Sequence, residues 1–137
     1  MKTALLLIAH GSRHPEANDD LHHVARCLRE RGRQVVASFL ELASPTPLEA
    51  GRECVEQGAG RVVLVPYFLS AGVHVRRDLA AIRDALAEQF PGVTFVLAEP
   101  LGRHPLLLDV VERRVAEALG PVEIGVPPSG GPGAPTG

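Results

Sequence analysis

Tryptophan is absent from the 137 residues, and four Phe and one Tyr make up the whole aromatic content. Basic and acidic residues nearly balance, 14 against 16 for a net charge of −2, and no Lys/Arg run occurs. A nucleic-acid surface therefore has neither stacking platforms nor a basic stripe to build on. Cysteine is scarce as well. Cys27 and Cys54 lie in helical patterns and form no Cys-x-x-Cys, which argues against a disulfide framework or a zinc ribbon and fits a reducing, cytoplasmic setting. No apolar run is long enough to span a bilayer. The first such run, Ala4 to Ala9, is too short for a signal peptide and breaks at His10-Gly11-Ser12-Arg13. Neither Gly-x-x-x-x-Gly-Lys-[Ser/Thr] nor Gly-x-Gly-x-x-Gly occurs, so nothing points to a nucleotide. What remains is a small-molecule partner, with no nucleic acid and no membrane.

Apolar residues make up 45% of the chain, the profile of one globular domain. The last seventeen residues, Pro121 to Gly137, differ: they hold five of the twelve prolines, five of the fourteen glycines and a single charge, Glu123. That composition offers too little apolar surface to offset ordering entropy. The expected organisation is a folded domain over 1–120 and a disordered Pro/Gly-rich tail over 121–137.

Four runs rich in Val, Ile, Leu and Phe recur along the chain, Thr3–Ala9, Gln34–Leu40, Arg61–Val65 and Val93–Ala98, and each reads as a strand. The first and third are nearly continuous, as parallel strands covered on both faces are. Between and after them run helical stripes: Ala17, Leu21, Val24, Ala25 and Leu28; Val75, Leu79, Ile82, Leu86 and Phe90; Leu107, Val111, Val115 and Ala118. Pro15, Pro47 and Pro105 suit first helical turns, Thr46-x-x-Glu49 is a capping box, and Gly32, Gly58 and Gly120 stand where helices stop. Alternating strands and helices with right-handed crossovers predict a small doubly wound, flavodoxin-like α/β fold. Its four-stranded parallel sheet has the order 2-1-3-4, with helices on both faces.

In such sheets ligands bind beyond the carboxyl ends of the strands. The segments that follow the strands are His10-Gly11-Ser12-Arg13, Glu41, Pro66 through His74, and Glu99 through Gly102. Strands one and three are neighbours, about 4.8 Å apart, so His10 and His74 are expected to converge. Two imidazoles with open coordination positions suit a divalent transition ion that is held and then surrendered. Glu41 and Glu99 either relay protons, anchor a histidine ring or cap their loops. The N–H groups of Gly11 and Ser12 lie at a helix mouth that favours anions, and Arg13, Arg76 and Arg77 flank the two histidines. Ser12, Arg13, Ser70 and Arg76 are the candidate substrate-binding residues. His14 and His104 precede helix-opening prolines and His22 and His23 lie on a solvated helix face, so these four read as structural.

The chain resembles the small sirohydrochlorin chelatases, the short cobaltochelatase type related to siroheme ferrochelatases and to the class II chelatase fold. The match lies in Leu6-Leu7-Ile8-Ala9-His10-Gly11-Ser12-Arg13 and in Phe39-Leu40-Glu41 with Pro45. It continues in Val65 through Val75, around His74, and in Leu101-Gly102-x-His104-Pro105. The resemblance implies a lyase inserting Co(II) into a sirohydrochlorin-type tetrapyrrole for cobalamin, with His10 and His74 as metal ligands and catalytic residues; Glu41 joins them as a candidate catalytic residue, either it or a neutral imidazole accepting the pyrrole protons. Fe(II) insertion for siroheme, Ni(II) insertion, or a non-catalytic metal- or tetrapyrrole-binding module are the alternatives. It also implies a homodimer, a single-length chain being half of the two-copy relatives.

Overall fold

The computed structural model describes residues 1–124, the side chains of 121–124 excepted. The elements alternate: β1 (Thr3–Ala9), α1 (Pro15–Glu30), β2 (Gln34–Phe39), α2 (Pro47–Glu56), β3 (Arg61–Pro66), α3 (Val73–Gln89), β4 (Thr94–Leu97) and α4 (Leu106–Ile124). All pairings are parallel and the sheet order is β2-β1-β3-β4, as the crossover rule predicts. By contact density the chain divides into a unit over Met1–Leu101, which holds the whole sheet, and a second unit from Gly102 on.

β1 carries the logic of the first unit. Successive side chains of a strand point to opposite faces, and each face needs a cover. Leu6 and Ile8 join Ala50 and Cys54 of α2 and Leu79 and Leu86 of α3; Leu7 joins Leu21 and Ala25 of α1, with Phe39. Leu6, Leu7 and Ile8 are fully buried, and each such side chain contributes ~1.5–3 kcal/mol of transfer free energy. A strand buried on both faces has no polar positions, which is why the run is continuous in sequence.

Helix ends follow the punctuation. Pro15 and Pro47 open α1 and α2, and the Thr46 hydroxyl accepts from the Glu49 N–H (3.2 Å) while the Glu49 carboxylate accepts from the Thr46 N–H (2.8 Å). Gly32, Gly58 and Gly120 all have positive φ. Two strands end earlier than their apolar runs: β2 stops at Phe39, not Leu40, and β4 covers Thr94–Leu97, not Val93–Ala98. Each run outlasts its ladder by a single bond, Leu40 N–H to the Ala9 carbonyl and Ala98 N–H to the Leu64 carbonyl, both 2.9 Å. β3 runs one residue longer, to Pro66.

α4 departs from its expected stripe. Leu107 is half-buried, but Val111 and Val115 are 59% and 48% exposed, and Leu106, Leu108, Val110 and Leu119 are exposed as well. Its regular path breaks at Gly120 (φ 80°, ψ 159°). Most of the expected tail, from Gly125, lies outside the described residues. No described helix is long and apolar enough to cross a membrane.

The two thiols sit in opposite environments. Burial, with the adjacent Glu53 carboxylate adding to it, pushes the Cys54 thiol up to about 12, whereas Cys27 is half-exposed on α1. Thiol labelling of the native protein at pH 7.5 is expected to modify Cys27 alone, and Cys54 only after denaturation. Mass spectrometry reads the two peptides; native labelling of Cys54 would contradict this packing.

Candidate functional site

Three chain segments meet beyond the carboxyl end of β1. The chain leaves the sheet at Gly11, whose φ of +97° is left-handed backbone that favours glycine. A Cβ at Gly11 would run into the carbonyl oxygen of Glu41. The close approach is held by the Glu41 N–H, which donates to the His10 carbonyl at 3.0 Å. His10 and Glu41 are thus set side by side through their backbones. Gly11→Ala is expected to cost ~2 kcal/mol or more from strain and clash, a fall of about 8 °C in melting temperature. Thermal denaturation checks it; an unchanged melting point would show that the loop can relax away.

The imidazole of His10 is exposed and lies on the Phe68 ring, centroids 4.5 Å apart and planes at 27°. Phe68 is itself fixed at both sides: the Tyr67 N–H donates to the Ile8 carbonyl (2.7 Å), and the Leu101 N–H to the Phe68 carbonyl (3.1 Å). Such stacking restricts the ring without blocking its nitrogens.

Two clefts open around His10. One, about 320 Å³, is lined by His10, Gly11, Ser12, Asn18, Asp20 and Tyr67 among others. The other, about 490 Å³, is lined by His10, Leu40, Glu41, Val75, Asp78, Ala81 and Ile82. Both volumes fall in the ~300–1,000 Å³ range of small-molecule sites. His10 belongs to both, so it stands where contents of either cleft meet.

The remaining expected residues are distributed differently. His74 is the second residue of α3, exposed, and lines neither cleft. The structure sets His10 and Glu41 side by side, and His74 immediately precedes Val75, which lines the larger cleft with His10. Ser12 lines the smaller cleft, but its N–H is not free for an anion, because it donates to Asn18 Oδ1 (3.0 Å) while Asn18 Nδ2 donates to the Ser12 carbonyl (2.9 Å). A neighbouring amide satisfies the helix mouth locally, as short polar side chains do. Arg76 is engaged as well: Nε donates to the Ala71 carbonyl and Nη1 to Glu99, both at 3.2 Å, which ties the loop before α3 to the end of β4. Glu99 is thus a partner of Arg76. Arg13 and Ser70 are exposed.

His104 does take a helix-start role, its Nδ1 accepting from the Leu106 N–H at 3.2 Å. His14 occupies the N-cap of α1 without a side-chain cap. His22 touches the Phe39 ring edge-on at 5.5 Å.

Asp78, Asp20 and Phe68 were not among the expected residues. A signal for Asp78 existed: it is three residues after Val75 and four after His74, so it shares the side of α3 that carries Val75 toward the sheet. Among the described residues no three His, Cys, Asp or Glu side chains converge to hold a metal ion.

The chain is similar to proteins named for chelation. It is 38% identical over 121 residues to the chloroplastic sirohydrochlorin ferrochelatase of Arabidopsis thaliana, covering 87% of this chain and 54% of that protein, so it spans about half that relative's length. It is 32% identical over 139 residues to the sirohydrochlorin cobaltochelatase of Methanopyrus kandleri, covering 85% of this chain and 97% of that one. Among solved structures, a CbiX protein of cobalamin biosynthesis from Marinobacter aquaeolei superposes with a TM-score of 0.76 at 32% identity, over 85% of this chain and 97% of its own. The sirohydrochlorin chelatase SirB of Bacillus subtilis in complex with cobalt gives 0.74 at 27% identity, over 84% of this chain and 50% of its own. The family model of CbiX matches residues 4–118, nearly all of the described chain, and the protein belongs to the CbiX family.

Proposed function

We propose that the protein is a metal chelatase that inserts a divalent transition ion into sirohydrochlorin. The observation that carries this reading is His10: an imidazole clamped on Phe68 at the junction of two clefts, beside Glu41, within a chain of the CbiX family. Insertion exchanges one divalent ion for the two pyrrole N–H protons of the ring. The ion is a substrate. His10 and His74 are the proposed ligands that present it, neutral imidazole nitrogens that accept Co(II), Fe(II) and Ni(II) alike. Glu41 is the proposed acceptor of the two pyrrole protons in turn, passing each to solvent through the open cleft before taking the next. No covalent intermediate and no nucleotide enters.

Co(II), for cobalamin, is the first choice of metal. Fe(II), for siroheme, is the second reading, favoured by the similarity to the plant ferrochelatase. A rate comparison on one preparation decides between them: sirohydrochlorin absorption followed with Co(II), Fe(II) under anaerobic conditions, and Ni(II). The cobalt reading requires the largest kcat/KM with Co(II). A larger value with Fe(II) assigns the siroheme branch, and stoichiometric binding without turnover with any ion assigns a carrier or sensing module.

Asp78 is proposed to draw the cation to His10, since it places a second carboxylate in the cleft that Glu41 and His10 line. Asp78→Asn is expected to raise the KM for the metal about fivefold, the equivalent of ~1 kcal/mol, with kcat little changed. Steady-state rates at varied metal read this; an unchanged metal KM removes Asp78 from the path.

Charge on the rim serves the organic substrate. Sirohydrochlorin carries eight carboxylates, and with Arg76 committed to Glu99 the proposed guides are Arg13 and Arg77, both exposed. Raising salt is expected to increase the tetrapyrrole KM more than the metal KM, and Arg13→Ala to flatten that dependence. Ligand sites enclose ~70% or more of a ligand's surface, and one protomer offers a sheet edge with two open clefts. A homodimer with the ring between protomers is the proposed assembly, with the exposed apolar side chains of α4 available to a second copy. The proposed setting is the cytosol, where both cysteines stay reduced.

A further inference from the structure

α1 carries metal-ligating side chains that the chelation site does not use. His23 and Cys27 are four residues apart, on one face of the helix, and His23 Nε2 lies 3.6 Å from Cys27 Sγ. A tetrahedral ion bound at ~2.3 Å by a thiolate and at ~2.0–2.1 Å by an imidazole holds those two donors about 3.6 Å apart. The gap between the side chains therefore already has the width of one edge of a tetrahedral coordination shell. His23 is exposed and Cys27 half-exposed, so water can complete the shell.

We propose that His23 and Cys27 form a second, two-ligand site for a borderline divalent transition ion of the Co(II), Ni(II) and Zn(II) class. The nitrogen–sulfur pair selects against Mg(II) and Ca(II), which require oxygen ligands. Two protein ligands rather than three or four make the ion exchangeable, unlike a structural zinc. Binding releases the Cys27 thiol proton to solvent and needs the lone pair of His23 Nε2. Arg26 stands against this, because its Nη2 lies 3.4 Å from His23 Nδ1 and its donation there holds the imidazole proton on Nε2. On binding, that proton moves to Nδ1 and the guanidinium swings away. Asp20, three residues before His23 on the same side of α1, lines the cleft with His10, so the pair sits about one to two turns, ~5–10 Å, along the helix from that cleft. The only other cysteine, Cys54, is buried and its thiol is strongly raised, which leaves Cys27 as the sole thiol available to an ion.

The test is an anaerobic Co(II) titration of the full chain without an affinity tag and without sirohydrochlorin, read by absorption. A sulfur-to-cobalt charge-transfer band in the near ultraviolet is expected to rise and saturate. Cys27→Ser is expected to abolish the band and His23→Ala to weaken binding at least tenfold. Arg26→Ala should tighten it severalfold, and a His10→Ala/His74→Ala variant should leave it intact. Circular dichroism verifies that each variant is folded. The proposal is overturned by absence of the band in the wild type, by its persistence in Cys27→Ser, or by an unchanged midpoint in His23→Ala. Because no tetrapyrrole is present, none of these outcomes bears on the chelatase reading, and loss of chelatase activity elsewhere does not bear on this site.

Discussion

Replacing His10 with alanine is expected to slow metal insertion by ~10²-fold or more, the span that a positioned imidazole contributes as ligand and proton-transfer group. The fold is expected to survive. His10 is exposed and outside both core clusters, and its ring contact is the stack on Phe68. Loss of that stack costs ~1 kcal/mol, or about 4 °C in melting temperature for a domain of this size. His74→Ala is expected to cost a comparable factor, expressed more in the metal KM, because His74 stands exposed at the start of α3 and lines neither cleft. If both act on one ion, the double variant is little slower than the worse single variant. Sirohydrochlorin absorption and thermal melts on the same preparations check all three. Near-normal rates in either single variant would remove that histidine from the reaction.

Glu41→Gln is expected to lower kcat by ~10²-fold while leaving both KM values within about twofold, the pattern of a group needed to accept a proton rather than to bind. The amide keeps size and hydrogen bonding but accepts no proton near neutrality. Its backbone is the part that organises the site, since the Glu41 N–H holds the His10 carbonyl and the Glu41 carbonyl closes over Gly11. Those contacts are unchanged by the substitution. A loss of rate through disordering would therefore appear in Gly11→Ala, not in Glu41→Gln. Excess metal is expected to leave the rate ceiling of Glu41→Gln low. Recovery of the ceiling at high pH through hydroxide would support the proton-acceptor role; a raised metal KM with normal kcat would make Glu41 a metal ligand instead.

Much of this architecture was legible because it is written in one-dimensional signals. The uninterrupted run in β1 announces a strand covered on both faces, the Thr46–Glu49 pair announces a helix start, and the glycines with positive φ mark where elements end. His10 and Glu41 were legible for the same reason: His10 directly follows β1 and Glu41 comes two residues after β2, and the carboxyl ends of parallel strands gather at one edge. What the pattern did not reveal depends on helix phase and loop path. Asp78 enters the cleft because α3 turns the Val75 side inward, a rotation visible only once the helix start at Val73 is known. Phe68 reads in sequence as one more apolar residue after β3, and its stack under His10 follows from the loop's bonds to β1 and Leu101. Ser12 loses its free N–H to Asn18, six residues away. Arg76 is drawn to Glu99 across the loop cluster, a pairing that no local spacing encodes. The α4 stripe is periodic yet largely exposed, since periodicity states that a face is apolar and not what covers it.

The central claim, that a divalent ion is passed to sirohydrochlorin at His10, is tested most directly by multiple turnover. The full chain at one-hundredth of the tetrapyrrole concentration is mixed with Co(II), and the loss of free sirohydrochlorin absorption is followed beside a protein-free control and His10→Ala. The account expects many rings metallated per chain, faster than the control, with His10→Ala falling to near the control rate. A wild-type trace that matches the control, or a His10→Ala trace that matches the wild type, would contradict it.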